Sequence, residues 1–331
     1  MLDDLTGQLL ALWRRSHDPY EVVDQAGELA AALPQRIHDA LGRFADGGNG
    51  PALVLHGVPI EPLTATPGRW TMAADHRSSL VLLLIGEALG SSFGWSTQQA
   101  GRLVHDVVPT MGDELLQTGS NSTRALELHS EDCFHPFRGE WLGLLCLQNP
   151  AQVATLVSAV SWVELKPDEW VALREPAYPL FADLSHQPSH GARPGDEHSA
   201  LFPAAEAEYV CTLDQDDRRD VTSIRFDPDF TGPPRTPRHE AALDALRSQL
   251  QRNIVEVRLA PGDLVLIDNH RAVHGRASFE ATYCNEERWL KRVCITADLE
   301  WSRSARHSAG CRVVGCDGRT CRALLDLSRA E

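Results

Sequence analysis

The stretch from Ala125 to Pro150, ALELHSEDCFHPFRGEWLGLLCLQNP, constrains this chain more than any other. On an extended strand alternate side chains leave on one face, so the imidazole of His129 and the carboxylate of Glu131 can reach one metal ion together. With 14 His and 46 acidic residues in 331 positions, about two His-x-Asp/Glu triplets arise by chance, and the chain has only this one. The spacing supplies two-thirds of a metal site, and the third ligand must come from a distant strand.

A chain of 331 residues can bury an ample core, either as two average domains or as one elaborated β-barrel. Its 43% hydrophobic and 23% charged residues are ordinary for a globular protein. A formal charge of -15 with no basic stripe argues against nucleic acid or anionic membrane as a partner, because phosphate contacts need a segregated basic face. The Met-Leu-Asp-Asp start is acidic where a secretory signal would be basic, and no apolar run approaches the ~20 residues of a membrane span. A cytoplasmic protein is the expectation. Eight cysteines without a C-x-x-C pair indicate neither a disulfide framework nor a structural zinc site. Cys311, Cys316 and Cys321 could hold a metal, but they fit reduced bystanders in a surface tail better.

Helical periodicity runs from residue 3 to 46 through Leu5, Leu9, Leu12, Val22, Val23, Ala26, Leu29, Ile37 and Leu41, until Asp46-Gly-Gly-Asn-Gly50 stops it. This predicts a helical scaffold over 1–50. Residues 52–60 read as a buried strand and 77–90 as a packed helix. The segment Phe93 to Arg102, with adjacent Gln98 and Gln99, leads into a strand at 103–108; it suits a ligand-facing segment and a buried turn equally. His105 in that strand reads as a core histidine. The polar run 117–123, centred on Ser120, fits either an active-site rim or a plain surface loop.

Two strands flank Asn149-Pro150, and 167–183 reads as a helix broken near Pro176 and Pro179. Residues 186–205, with His186, His190 and His198, form a second lid candidate and read as a solvated loop rather than a metal tract. Strands at 208–213 and 221–226, a helix at 238–252 and the strands of VEVRLAPGDLVLIDNHRAVHGR follow, with His274 ending the last. Many short strands with no repeat and no convincing linker favour a single domain over 1–331. The expected class is mainly β with flanking helices, a double-stranded β-helix (jelly roll, cupin-like) over 51–298 and a tail over 299–331.

His274 fits the third ligand, with His270, four residues earlier, as its competitor. Two imidazoles and one carboxylate leave coordination positions open, the arrangement of non-haem Fe(II) oxygenases. Arg288, fourteen residues on, can pair bidentately with the distal carboxylate of a dicarboxylate cosubstrate. Zinc-dependent hydrolysis uses the same ligand types but gives Arg288 no role.

Through His129-x-Glu131, Gly262-Asp-Leu-Val-Leu-Ile-Asp-Asn-His-Arg-Ala-Val-His-Gly-Arg276 and Arg288-Trp-Leu-Lys-Arg292, the chain resembles the clavaminate synthase-like branch of the Fe(II)/2-oxoglutarate oxygenases. Through Gly94-Trp-Ser-Thr-Gln-Gln-Ala-Gly-Arg102 and His129-Ser-Glu-Asp-Cys-Phe-His-Pro136 it is similar to the arginine hydroxylases of non-ribosomal peptide antibiotic pathways. The resemblance implies that His129, Glu131 and His274 hold Fe(II), and that Arg288 and Thr155 hold the far carboxylate of 2-oxoglutarate. It further implies that Arg292 meets a substrate α-carboxylate, that Gln98 or Gln99 approaches the α-amine, and that Asp227 and Asp229 face a guanidinium. The alternative for those two acids is a capped strand end with exposed carboxylates.

The implied reaction consumes O2 and hydroxylates C3 or C4 of free L-arginine, or of a close analogue such as citrulline, with succinate and CO2 as coproducts. Asparagine, lysine and other polar amino acids are the alternative substrates, and a metal-dependent amino-acid-binding protein without turnover is the alternative class. A carboxylate ligand excludes the halogenating variant, which needs that position for chloride.

Overall fold

The computed structural model describes residues 1–16, 18–48, 50–61, 65–70, 76–186, 207–216 and 221–315. Three amphipathic helices, α1 (Leu2–Ser16), α2 (Pro19–Ala30) and α3 (Gln35–Ala45), lie over a fourth, α4 (His76–Leu89). Helix α2 starts where the sequence provides a cap: the Asp18 carboxylate accepts from Tyr20 N at 2.9 Å, with Pro19 in the first turn. The run Ser78–Gly86 of α4 is buried all round, as an apolar helix wrapped by others must be.

The strands, in chain order, are β1 (Ala52–Leu55), β2 (Ser91–Trp95), β3 (Val104–Val107), β4 (Leu126–His129), β5 (Trp141–Gln148), β6 (Thr155–Ala159), β7 (Tyr178–Leu180), β8 (Glu208–Val210), β9 (Leu213–Asp216), β10 (Val221–Ile224), β11 (Val255–Val257), β12 (Leu264–Asp268), β13 (Ala272–Arg276), β14 (Trp289–Thr296) and β15 (Val313–Val314). Helix α5 (Pro167–Leu173) precedes β7, and α6 (Pro237–Arg252) precedes β11. The larger sheet runs β1-β12-β5-β14-β2-β15, with β3 also on β14; the smaller runs β11-β6-β13-β4.

Period-two alternation sorts the side chains of the two sheets into a core between them and cores on their outer faces. Leu142, Leu144 and Cys146 of β5 point inward, with Val265 and Ile267 of β12, onto Val157, Ala159 and Ala272 of the smaller sheet. Leu145, Leu264, Leu266, Val293 and Ile295 point the other way, onto α4 and the helices around it. On the outer face of the smaller sheet Val273 packs with Ala242, Leu246 and Leu250 of α6 and with Leu173 of α5. Two facing sheets with helices on both outer faces make the expected double-stranded β-helix. Among the described residues no helix is long and apolar enough to cross a membrane.

Local departures from expectation have local causes. Strand β1 stops at Leu55, short of the expected 52–60. The expected 167–183 helix ends at Leu173, and the chain past Pro176 enters β7 instead. Two expected strands over 208–226 are three short ones, and His274 occupies the middle of β13, not its end. The lid candidate 186–205 and residues Cys316 and Cys321 lie outside the described residues, apart from His186.

Gly275 permits the pairing of β13 with β4: a Cβ there would lie 2.5 Å from Leu126 O and 3.1 Å from Glu127 O, and both are backbone atoms that cannot swing aside. Gly275→Ala is expected to destabilise the protein by about 1–3 kcal/mol through overpacking, read as a lower urea midpoint at unchanged slope. An unchanged midpoint would mean that the two strands part at no cost.

Candidate active site

Pairing of β13 with β4 sets His274 opposite His129, with ring centroids 4.4 Å apart. Glu131, two residues beyond His129, turns to the same point, and the three ligand atoms lie within 4.8 Å of one another. Glu131 Oε2 is 3.3 Å from His274 Nε2 and 3.8 Å from His129 Nε2. His129 Nδ1 donates to Glu127 O at 2.9 Å, which leaves its Nε2 lone pair facing the centre. His270, the competing imidazole, is held elsewhere, with Nδ1 3.0 Å from Asp216 Oδ2.

The charges around this centre favour a cation within it. Burial opposes a charged His129, but Glu131 prevails and takes its pKa up to about 9. Burial, then the His129 charge, takes His274 down to about 4. Burial also opposes an ionised Glu131, which Arg292 and the two imidazoles nonetheless hold well below the usual carboxylate range. Two nitrogens and one carboxylate oxygen converging on a positively demanding point fit a divalent 3d metal.

The turn that delivers His274 also fixes Glu131. Asn269, between β12 and β13, accepts from Glu131 N at 2.7 Å and donates to Glu131 O and Gly139 O, each at 3.0 Å. Sequence reasoning missed Asn269, because a side-chain clamp onto a backbone 138 positions away leaves no local pattern.

A cavity of about 100 Å3 opens beside the three residues, and its lining includes a cationic group, Thr155, Arg276 and Arg288, and an acidic one, Asp183 and Asp227. Arg288 is 6% exposed and donates to Thr155 Oγ1 at 3.2 Å. Among the described residues no carboxylate pairs with it, and burial takes its guanidinium down to about 10. A buried cation without a counterion is costly unless an anion joins it. This part of the cavity therefore suits a carboxylate, as expected for the cosubstrate.

The other expected contacts divide. Arg292 lines the cavity, with NH1 on Glu131 Oε1 and NH2 donating to Gln98 Oε1 at 2.8 Å and to His105 Nδ1 at 2.6 Å. His105, expected only as a core histidine, thus orients Arg292. Gln98 joins this network, whereas Gln99 spends both ends of its amide on the backbone of Asp106, at 2.8 and 3.0 Å.

Ser120 borders a neighbouring cavity of about 340 Å3 and donates to Asp113 Oδ2 at 2.6 Å, so the rim meets the first cavity through Gln117, Thr118 and Gly119 instead. Asp227 lines the first cavity, and burial, with nearby Asp183, pushes its carboxyl up to about 7 against the pull of His129. Asp229 turns away, pairing with Arg124 at 2.9 Å. Asp183 stands in its place on the cavity wall, unforeseen because its segment read as the end of a helix.

His186, expected in a solvated loop, is fully buried with Nε2 2.8 Å from Asp132 Oδ1. Asp132, next to Glu131, also accepts from Trp95 Nε1 at 2.6 Å and Gln98 Nε2 at 3.2 Å. Asp132 and His186 form a second acidic and imidazole cluster with Asp183, whose Oδ1 accepts from Ser185 N at 2.7 Å and Ser185 Oγ at 2.5 Å.

The sequence profile described as Taurine catabolism dioxygenase TauD, TfdA family matches residues 166–294. The enduracididine beta-hydroxylase of Streptomyces hygroscopicus is 34% identical over 91% of this chain and 93% of its own. The L-ornithine/L-arginine 3-hydroxylase of Catenulispora acidiphila is 36% identical over 95% of both chains. The chain belongs to the TauD/TfdA family of dioxygenases. Clavaminate synthase 2 of Streptomyces clavuligerus is also related, at 29% identity, as the resemblance to its branch implied. The non-haem iron oxygenase OrfP, solved with Fe, succinate and (3S)-hydroxy-L-Arg, superposes with a TM-score of 0.86 at 34% identity, over 95% of this chain and 96% of that one. The expected enzyme class, a non-haem iron oxygenase using 2-oxoglutarate, is borne out.

Loss of the Asn269 clamp is expected to loosen the loop that aims Glu131. Asn269→Ala should weaken Fe(II) binding about 10- to 100-fold in anaerobic competition against a chromophoric chelator, with the far-UV circular dichroism unchanged. Unaltered affinity would show that the Glu131 loop holds its shape without Asn269.

Proposed function

We propose that this protein binds Fe(II) through His129, Glu131 and His274 and hydroxylates free L-arginine, or a close guanidino analogue, at C3. The observation that carries this reading is Arg288, a buried guanidinium without a counterion among the described residues, on the same cavity as two imidazoles and a carboxylate at metal-ligand spacing. Hydrolytic chemistry on those three residues would leave that cation unexplained.

Bound Fe(II) with 2-oxoglutarate supplies the capacity to activate O2 and insert one of its atoms into a C–H bond, releasing succinate and CO2. The chain's residues position the reactants and exclude water. Arg288 and Thr155 fix the far carboxylate of the keto acid at the cationic part of the cavity wall. Glu131 divides its oxygens, with Oε2 toward the imidazoles and Oε1 on Arg292, so Arg292 orients the expected ligand as well as bordering the substrate space. An amino acid placed with its α-carboxylate at Arg292 would direct its side chain toward Asp227 and Asp183.

For a guanidinium these two carboxylates replace the expected pair of Asp227 and Asp229. Asp227 Oδ1 already accepts from Asp229 N at 3.0 Å and Phe230 N at 3.2 Å, which holds the side chain in place. Burial keeps the Asp227 carboxyl reluctant to ionise, so a forked cation that neutralises it gains more there than in water. Two of the relatives are named as hydroxylases of C3, the β carbon, of enduracididine and of ornithine or arginine, which supports that position here.

The test is a panel of free amino acids incubated with Fe(II), 2-oxoglutarate and air, with succinate and the mass gain of one oxygen followed. Arginine or a guanidino analogue is expected to give the fastest coupled turnover. If no amino acid accelerates 2-oxoglutarate consumption, the proposal fails. Arg288→Ala is expected to raise KM for 2-oxoglutarate about tenfold or more with little effect on KM for arginine. Asp227→Ala should raise KM for arginine by a similar factor, and Asp229→Ala by less than about threefold. Equal effects from the two aspartates would contradict the replacement of Asp229 by Asp183.

A further inference from the structure

Arg276 is a second buried cation on the cationic part of the cavity wall. It is 3% exposed and lines the same cavity as Arg288. On β13 it is the register partner of Thr155 on β6, and Thr155 Oγ1 is the atom to which Arg288 NH2 donates. Register partners have Cβ atoms roughly 5 Å apart, so Thr155 stands beside the root of the Arg276 side chain, and the Arg288 charge is near enough to act on the Arg276 guanidinium.

Among the described residues every partner of Arg276 is neutral. NH1 donates to Ser122 O at 3.2 Å and Ala277 O at 2.9 Å; NH2 donates to the Asn121 side-chain oxygen and to Arg124 O at 3.1 Å; the group stacks over Phe279 at 4.7 Å. Nε is buried without an acceptor among the described residues. An arginine in a protein remains charged, so these contacts fix the group in place without cancelling its charge. This part of the cavity thus carries two positive charges, Arg276 held by four hydrogen bonds and Arg288 by its bond to Thr155, and among the described residues no carboxylate balances either.

We propose that Arg276 is a second cosubstrate-selecting cation, which acts on the distal carboxylate of 2-oxoglutarate together with Arg288 and makes the site demand a dicarboxylic keto acid. A locked cation pays no ordering cost when the anion arrives, which suits it to selection. The assignment rests on the proposed function, since it needs a keto acid at Arg288.

The test titrates Fe(II)-loaded protein anaerobically, by calorimetry, with 2-oxoglutarate and with 2-oxobutyrate, which lacks the distal carboxylate. Arg276→Gln is expected to weaken 2-oxoglutarate binding about tenfold and to leave 2-oxobutyrate binding unchanged, while Arg276→Lys, which keeps the charge, stays within about threefold of wild type. Arg276 is a mere strut for the Asn121–Arg124 loop if Gln and Lys lower the affinity for both keto acids alike, or if Gln changes neither; both results overturn the proposal. Wild-type protein that binds no 2-oxoglutarate would instead overturn the proposed function. Urea midpoints of both variants separate a folding defect from a binding defect.

Discussion

One strand pairing organises the site. Residues 129 and 274 are 145 positions apart, and the register of β4 on β13 brings their imidazoles into contact. A slip of one residue would turn either ring onto the outer face, among the Leu and Val side chains that pack on α6. Three features hold that register: Gly275, which lets Leu126 O approach; Asn269, which ties the Glu131 loop to the turn between β12 and β13; and the α6 layer behind Val273. The jelly roll brings distant parts of the chain together and makes their mutual approach rigid.

The wall of the cavity carries both signs of charge: the Arg276 and Arg288 guanidinium groups, the imidazole and carboxylate cluster, and the carboxylates of Asp183 and Asp227. Arg288 is a buried cation that no carboxylate answers among the described residues, and Asp227 is a carboxyl pushed up by burial, a costly arrangement that functional sites tolerate and cores do not. A keto acid and a cationic amino acid would answer these two groups separately, so each reactant finds its own place beside the cluster.

Much of this was legible in the sequence, for identifiable reasons. Unbroken apolar runs in WLGLLCL and LVLI mark β5 and β12, because each is packed on both faces. His129, Glu131 and Arg288 stood out because their chemistry needs particular side chains at particular spacings. Contacts made across the fold left no such mark. Asn269 looked like one polar residue in a turn, and Asp183 like the end of a helix. Asp229 resembled Asp227 until Arg124 drew it away, and Ser120 is occupied by Asp113. Gln98 and Gln99 became distinguishable only when Asp106 took both ends of the second. His186 read as solvated because nothing local announces its burial against Asp132.

The central claim is that His274, and not His270, completes the set begun by His129 and Glu131. Its most direct measurement is the Fe(II) stoichiometry of anaerobically reconstituted protein, compared among wild type, His274→Ala and His270→Ala. The expected result is one tightly held iron per chain in wild type and His270→Ala and none in His274→Ala. Iron retained by His274→Ala and lost from His270→Ala would contradict the β4–β13 register as the origin of the site.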